Sequence, residues 1–341
     1  LGDACAQMSE LVQKGRLPFV TTMMGIGSVS SANGFNLGFI GTHGNELANR
    51  IIHDSDFILA LGTRFTERST SVIEEFAPLA TIAQIDIDPT SIGKNVPVDL
   101  PFEGDIQEAL AELIPLVVPR TRDAWLERIT MERQTQEDKL INGGCGQAGT
   151  LIRNIQDAMP RETIVVPDVG LNQIWTVRTW KTHSPRSLLT SGGMGTMGFS
   201  VPAAIGAKVG APDKDVVVIC GDGGFYMNIQ ELATISYYRL PVKIVVINNG
   251  HLGMIRQMQD LWYDARFTTS DLGDRVDLVA VANGFGIPAE RIAVDEDPAA
   301  AIARMSGADG PYMLEAMVDP DNYVYPIIPP GCSNVEMICG K

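Results

Sequence analysis

Gly221-Asp222-Gly223-Gly224 follows directly on the apolar run Val216 to Cys220, and Asn248-Asn249 closes the next apolar run, so that Asn249 stands 27 residues beyond Asp222. One βαβ crossover fits in that interval. It sets both polar clusters at the carboxyl ends of neighbouring parallel strands, where open α/β sheets bind ligands. A carboxylate, an amide oxygen and main-chain carbonyls are hard oxygen donors. They suit Mg²⁺, which completes its octahedron with water and the phosphates of a bound molecule. Gly223 and Gly224 let main-chain N–H groups approach a diphosphate at the start of a helix expected over Asn228 to Tyr238. A second pattern competes: Gly193-Met194-Gly195-Thr196-Met197-Gly198 fits G-x-G-x-x-G and would suit a flavin- or NAD-dependent oxidoreductase, with Asp215 as ribose acceptor. Asp215 precedes the strand Val216 to Cys220 instead of ending it, which counts against that reading.

The elements that must position these residues follow the rhythm of stacked βαβ units, short apolar runs alternating with amphipathic stretches. The fold class is α/β, with two doubly wound parallel-sheet domains. In the first, Phe19 to Thr22, Phe57 to Leu61 and Thr81 to Ile87 read as strands, and Ala4 to Lys14, Glu46 to His53 and Ile106 to Leu113 as helices. In the second, Thr163 to Val166, Ser187 to Thr190, Val216 to Cys220, Val242 to Ile247 and Tyr312 to Ala316 read as strands. The charged, aperiodic stretch Pro119 to Gly149, closing on Asn142-Gly143-Gly144-Cys145-Gly146, reads as a linker. The expected domains are therefore 1–118 and 150–341, joined by 119–149. A helix opens the first domain where a doubly wound domain normally begins with a strand, so either the domain is unusual or the chain begins partway into it.

With 341 residues, 45% of them hydrophobic, each domain has enough apolar material for a core. Lys and Arg number 26 against 41 Asp and Glu, a net charge of −15 that repels phosphate backbones and anionic lipid. Nucleic acid and membranes are not expected partners, no apolar run reaches a membrane span's length, and the expected location is the cytoplasm. The five cysteines, Cys5, Cys145, Cys220, Cys332 and Cys339, show no CxxC spacing and read as free thiols.

The paired clusters resemble the diphosphate and metal motif of thiamine-diphosphate enzymes. The surrounding segments are closer still. Ser191-Gly192-Gly193-Met194-Gly195-Thr196-Met197-Gly198, Met227-Asn228-Ile229-Gln230-Glu231-Leu232, Leu252-Gly253-Met254 and Tyr325-Pro326-Ile327-Ile328-Pro329-Pro330-Gly331 resemble the acetolactate synthase (acetohydroxyacid synthase) large catalytic subunit family, over its middle and C-terminal domains. The resemblance implies decarboxylation of pyruvate and condensation with a second 2-oxo acid, a step of branched-chain amino-acid synthesis; another thiamine carboligase or decarboxylase, or a non-catalytic binding fragment, stands as the alternative. It makes Asp222 and Asn249 side-chain ligands of Mg²⁺ and His251 a ligand through its main-chain carbonyl. Gly223, Gly224 and Met254 fall at thiamine-diphosphate contacts, and Met197 at the apolar residue that keeps the cofactor bent over its reactive carbon. FAD would lie along Thr22, Met23, Thr42, His43, Gly62, Arg64, Asp86, Ile87, Gly104 and Asp105. A homo-oligomer and a regulatory small subunit are the implied partners.

The sequence departs from that family at several points. Thr66-Glu67-Arg68 stands where Asp-Asp-Arg is usual, Leu171-Asn172 where Gln-His is usual, and Met258 where a tryptophan favours a larger second substrate. Nothing corresponds to the pyrimidine-binding domain or its glutamate, and Glu231 reads as a structural residue. The 341 residues by themselves are therefore expected to be inactive.

Overall fold

The computed structural model describes residues 2–139, 146–273 and 276–340. Two compact units emerge, one of Leu1–Gly144 with Thr182–Pro185 and Tyr325–Lys341, the other of Cys145–Lys181 with Arg186–Val324.

The first unit holds two parallel sheets. Strand β1 (Phe19–Thr21) pairs with β2 (Asn36–Phe39), and β3 (Phe57–Leu61), β4 (Thr81–Asp86) and β5 (Leu100–Glu103) form a three-stranded sheet in that order. Helix Glu46–His53 turns Leu47, Ala48 and Ile51 inward, the one-face spacing of an amphipathic helix, onto Ile58 and Ile82 of the sheet. Helix Ile106–Leu116 does the same with Leu110 and Ile114, which meet Leu11 of helix Cys5–Gly15.

The second unit is one five-stranded parallel sheet in the order β6-β7-β8-β10-β9, from β6 (Ile164–Pro167), β7 (Val216–Gly221), β8 (Val242–Asn248), β9 (Ala289–Ile292) and β10 (Tyr312–Met317). The apolar runs of β7 and β8 are buried on both faces, as central strands of a parallel sheet require, and the one charge within them, Lys243 of β8, donates to the carbonyls of Ala308 and Gly310. Val218, Ile244 and Leu278 share one core cluster with Leu232 and Ile235 of helix Leu232–Tyr238. The register Gly221↔Ile247 brings the ends of β7 and β8 level, and Met317↔Asn248 adds β10 beside them.

Several elements differ from the sequence reading. Ser187 to Thr190 is no full strand; it contributes a parallel bridge, Val165↔Leu188, beside β6. The expected helix Asn228 to Tyr238 begins earlier, as Asp222–Met227, and resumes at Leu232 after a short 3₁₀ turn. Within 119–149 a helix, Asp123–Lys139, packs in the first unit. Its period was invisible because polar contacts hold much of it: Arg128 bridges Asp54 and Glu132, and Arg133 donates to the carbonyls of Gly34 and Asn36, while Ile129 supplies a buried apolar contact. Asn142 to Cys145 lie outside the described residues. The tail 325–341 belongs to the first unit, where Ile328 N–H donates to the Thr42 carbonyl and Asn334 to that of Ser69. Cys5, Cys220, Cys332 and Cys339 are free thiols. Among the described residues no helix is long and apolar enough to cross a membrane.

Candidate functional site

The carboxyl edge of the five-stranded sheet gathers the motif residues. Asp222 opens a helix immediately after β7, on an extended Gly221, and is 3% exposed. Its carboxylate accepts the N–H of Gly223 at 3.0 Å and also faces that of Gly250, with the His251 ring nearby. Burial dominates these contacts and pushes its pKa up to about 6. At the end of β8 two side-chain-capped turns follow each other. Asn248 Oδ1 accepts Gly250 N–H at 2.9 Å, and Asn249 Oδ1 accepts His251 N–H at 3.0 Å. Gly250 takes φ +69°, a conformation that favours glycine. His251 Nδ1 lies 2.8 Å from the Asn249 carbonyl, so the ring turns back on its own loop.

The glycines after Asp222 sit where any side chain would press on neighbouring atoms of the protein. A methyl group on Gly223 would stand 2.7 Å from Leu252 Cδ2 and 3.6 Å from Met197 Cε, which places Met197 over the start of this helix. On Gly224 it would stand 2.8 Å from an Asp168 oxygen. Met254 and Met258 lie on the helix Gly253–Trp262 that follows. Glu231 accepts a hydrogen bond from Thr234 on its own helical segment, in keeping with a structural part.

Whether these residues suit Mg²⁺ and a diphosphate is decided by their chemistry. Asp222 is a buried carboxylate whose loss of water outweighs the main-chain N–H groups it accepts, and that burial disfavours an anion with no cation beside it. The Asn249 amide and the main-chain carbonyls of the turn at the end of the neighbouring strand are oxygen donors of the kind Mg²⁺ takes. Among the described residues no group of three or more His, Cys, Asp or Glu is placed to hold a metal ion. The bare backbone at Gly223 and Gly224 fits a diphosphate.

The first unit sorts its motif residues onto strand ends in the same way. Gly62 follows β3, Ile87 follows β4, where Asp86 is its last residue, and Gly104 follows β5. The registers Leu61↔Ile85 and Asp86↔Glu103 bring all three to one edge. Gly62 adopts φ +59°, and Arg64 and Ile87 are exposed. Thr22 and Met23 follow β1, and Thr42 and His43 follow β2, on the two-stranded sheet. The turn before Thr42 depends on Gly41, where a methyl group would collide with the Arg68 carbonyl. Open strand ends with small residues at one edge fit a dinucleotide. Asp105 has a local task as well, capping helix Ile106–Leu116 through the N–H groups of Gln107 and Glu108.

Sequence reasoning passed over the residues that brace this site. Asp168, 1% exposed at the end of β6, accepts Val169 N–H, Gly198 N–H, Ser200 N–H and the Ser200 hydroxyl at 2.7–2.9 Å. It thereby fixes the loop that carries Met197 and abuts Gly224. Asn172, in the departure Leu171-Asn172, donates to the carbonyls of Asp168 and Ile219 and ties β6 to β7. Glu315, an acid inside the apolar run of β10, was the available signal for a further brace.

Comparison with known proteins bears on both units. The family model for the C-terminal TPP binding domain of thiamine pyrophosphate enzymes matches residues 168–316, and the model for their central domain matches residues 1–113. The chain is 39% identical over 341 residues to a probable acetolactate synthase large subunit of Methanocaldococcus jannaschii, covering 97% of this chain and 58% of that protein. It is 35% identical to acetolactate synthase isozyme 1 large subunit of Escherichia coli strain K12, covering 98% of this chain and 60% of the relative. It is also 37% identical to the chloroplastic acetolactate synthase 2 of Nicotiana tabacum, covering 99% and 54% respectively. The chain thus spans between about half and three fifths of the length of these curated relatives. The G-x-G-x-x-G reading finds no support in these matches: Gly193 to Gly198 lies just ahead of helix Ser200–Gly210, and the following strand belongs to the matched thiamine domain.

Proposed function

The chain belongs to the thiamine pyrophosphate enzyme family, and from that premise we propose that it forms the middle and cofactor-binding domains of an acetolactate synthase large subunit. The proposed reaction joins the two-carbon remnant of decarboxylated pyruvate to a second 2-oxo acid. The observation that carries the reading is the buried Asp222 carboxylate beside the Asn248-Asn249 turn and the bare Gly223-Gly224 backbone.

Asp222, Asn249 and the His251 carbonyl would hold Mg²⁺, and the N–H groups of Gly223 and Gly224 would receive the diphosphate. When bound, thiamine diphosphate supplies a nucleophilic carbon that adds to a 2-oxo acid and takes up the electrons left as carbon dioxide departs. Met197 would press on the cofactor's apolar side, a task its flexible thioether suits. Asp168 holds the Met197 loop from below through Gly198 and Ser200. In the first unit, Thr22, Met23, Thr42, His43, Gly62, Arg64, Asp86, Ile87, Gly104 and Asp105 would line an FAD site. A homo-oligomer and a regulatory small subunit are the proposed partners.

Asp168 and Glu315, the other two buried acids near this edge, are already committed to hydrogen-bond donors, so these 341 residues alone should turn pyruvate over slowly, an absent acid–base group costing about 10²- to 10⁴-fold. The test is calorimetry of Mg²⁺-dependent thiamine diphosphate binding by the chain and by Asp222→Ala, followed by acetolactate formation from pyruvate with and without a separately expressed pyrimidine-binding domain. Unchanged binding in Asp222→Ala would remove the metal assignment.

A further inference from the structure

The Asn248-Asn249 turn is held from behind by a buried acid. Glu315 lies on β10 in register with Val246 of β8 and with Arg291 of β9, and is 1% exposed. Its Oε1 accepts Asn248 Nδ2 at 2.7 Å and its Oε2 accepts Arg291 Nε at 2.8 Å. Arg291, 46% exposed, also pairs with Asp277 at 3.0 Å, and Asp277 caps the helix Leu278–Gly284 through Ala280 N–H. A chain of polar contacts thus runs from the surface to the turn.

We propose that Glu315 is a positioning residue for the metal-binding turn, acting through the Asn248 amide; the inference rests on Asp222 and Asn249 being the metal ligands. An ionised carboxylate only accepts hydrogen bonds, so it dictates which end of the amide faces it. With Nδ2 committed to Glu315, Asn248 Oδ1 must point at Gly250 N–H, where it is found. The same N–H bears on the Asp222 carboxylate. Glu315 therefore sets the path of the turn that presents Asn249 and the neighbouring carbonyls to Asp222. Arg291 compensates the buried charge, without which a carboxylate so deep would be costly.

The geometry prescribes a rescue. In Glu315→Gln the new amide faces two donors, Asn248 Nδ2 and Arg291 Nε, and satisfies one. In Asn248→Asp two carboxylates face each other. In the double variant the glutamine amide donates to the aspartate and its oxygen accepts from Arg291, so every partner is satisfied and the charge count is unchanged. The probe is Mn²⁺ with thiamine diphosphate, read by electron paramagnetic resonance on the 341-residue chain, alongside hydrogen exchange of the peptide covering the turn without metal. Each single variant should weaken Mn²⁺ binding by about tenfold and speed exchange, and the double variant should return to within about threefold of the parent in both. A double variant no better than the worse single overturns the proposal. Should the double variant not fold, Asn248→Ser carries the test: it cannot reach Glu315, and unchanged exchange and Mn²⁺ affinity overturn the proposal. Asp222→Ala is the control. Retained Mn²⁺ binding there defeats the metal reading itself, whereas lost binding with no effect at Glu315 defeats the positioning role alone.

Discussion

Asp222→Asn separates the cost of the site from its use. The Asp222 carboxyl has a pKa of about 6 in the fold against 3.8 when unperturbed, and desolvation is the leading cause. Between those values the folded state holds a proton that the unfolded chain has released. This contribution to stability is therefore full below about pH 4 and is lost as pH climbs through 6. The gap corresponds to about 3 kcal/mol at neutral pH. Asparagine removes the charge but offers one acceptor oxygen to the N–H groups of Gly223 and Gly250, which costs about 1 kcal/mol. The metal-free variant should thus be more stable than the parent by about 2 kcal/mol at pH 7.5, with the advantage gone at pH 4. Urea unfolding at several pH values, followed by tryptophan fluorescence, reads this. Trp175, Trp180 and Trp262 lie in the second unit and Trp125 in the first, so the signal is weighted to the unit in question. Mg²⁺ with thiamine diphosphate should stabilise the parent and leave the variant unmoved. A variant less stable than the parent at pH 7.5, or equally protected by Mg²⁺, would refute the account of a carboxylate strained by burial and relieved by a cation.

Gly224→Ala should lower thiamine diphosphate affinity at least tenfold in calorimetry, because its methyl would stand 2.8 Å from the Asp168 carboxylate. Asp168→Ala leaves Gly198 N–H and Ser200 N–H buried without their acceptor and should cost about 2–4 kcal/mol in urea unfolding. Incubation with FAD followed by gel filtration should leave visible absorbance on the protein, and Asp86→Ala should reduce it; a chain that stays colourless removes the flavin. On the proposed function, Met258→Trp, assayed with a separately expressed pyrimidine-binding domain, should raise the preference for 2-oxobutyrate over pyruvate as acceptor by about fivefold in competition assays, since a rigid face packs on the added methylene.

What was legible in the sequence was whatever chain-local pattern fixes. The runs Val216 to Cys220 and, but for Lys243, Val242 to Ile247 are apolar because their strands are buried on both faces, and the register of the two strands brings Asp222 level with the Asn248-Asn249 turn. Helix Asp123–Lys139 was illegible because ion pairs and main-chain carbonyls of distant residues, more than an apolar stripe, hold it in place. The tail 325–341 packs on residues far back in the chain, as Asn334 on Ser69 shows, and no local period announces such a return. Asp168 and Glu315 share that property. Their partners Ser200 and Asn248 are 32 and 67 positions away, so their roles emerge only once the sheet has assembled.

Three buried carboxylates stand along the carboxyl edge of one sheet, and their surroundings divide the work among them. Asp168 accepts four hydrogen bonds from the Met197 loop, the helix after it and its own neighbour, leaving little capacity for a ligand. Glu315 has the Arg291 guanidinium on one oxygen and Asn248 on the other. Asp222 faces main-chain N–H groups of a glycine-rich loop, and there desolvation outweighs hydrogen bonding. An acid fully committed to donors gains little from a cation, and one already paired with arginine gains less than an acid whose charge the protein leaves uncompensated. Replacing Asp168 or Glu315 should therefore loosen the frame around the cation, whereas replacing Asp222 removes the charge that draws it in. Calorimetry separates the two effects: the first lowers affinity and leaves a measurable binding enthalpy, and the second abolishes the heat altogether.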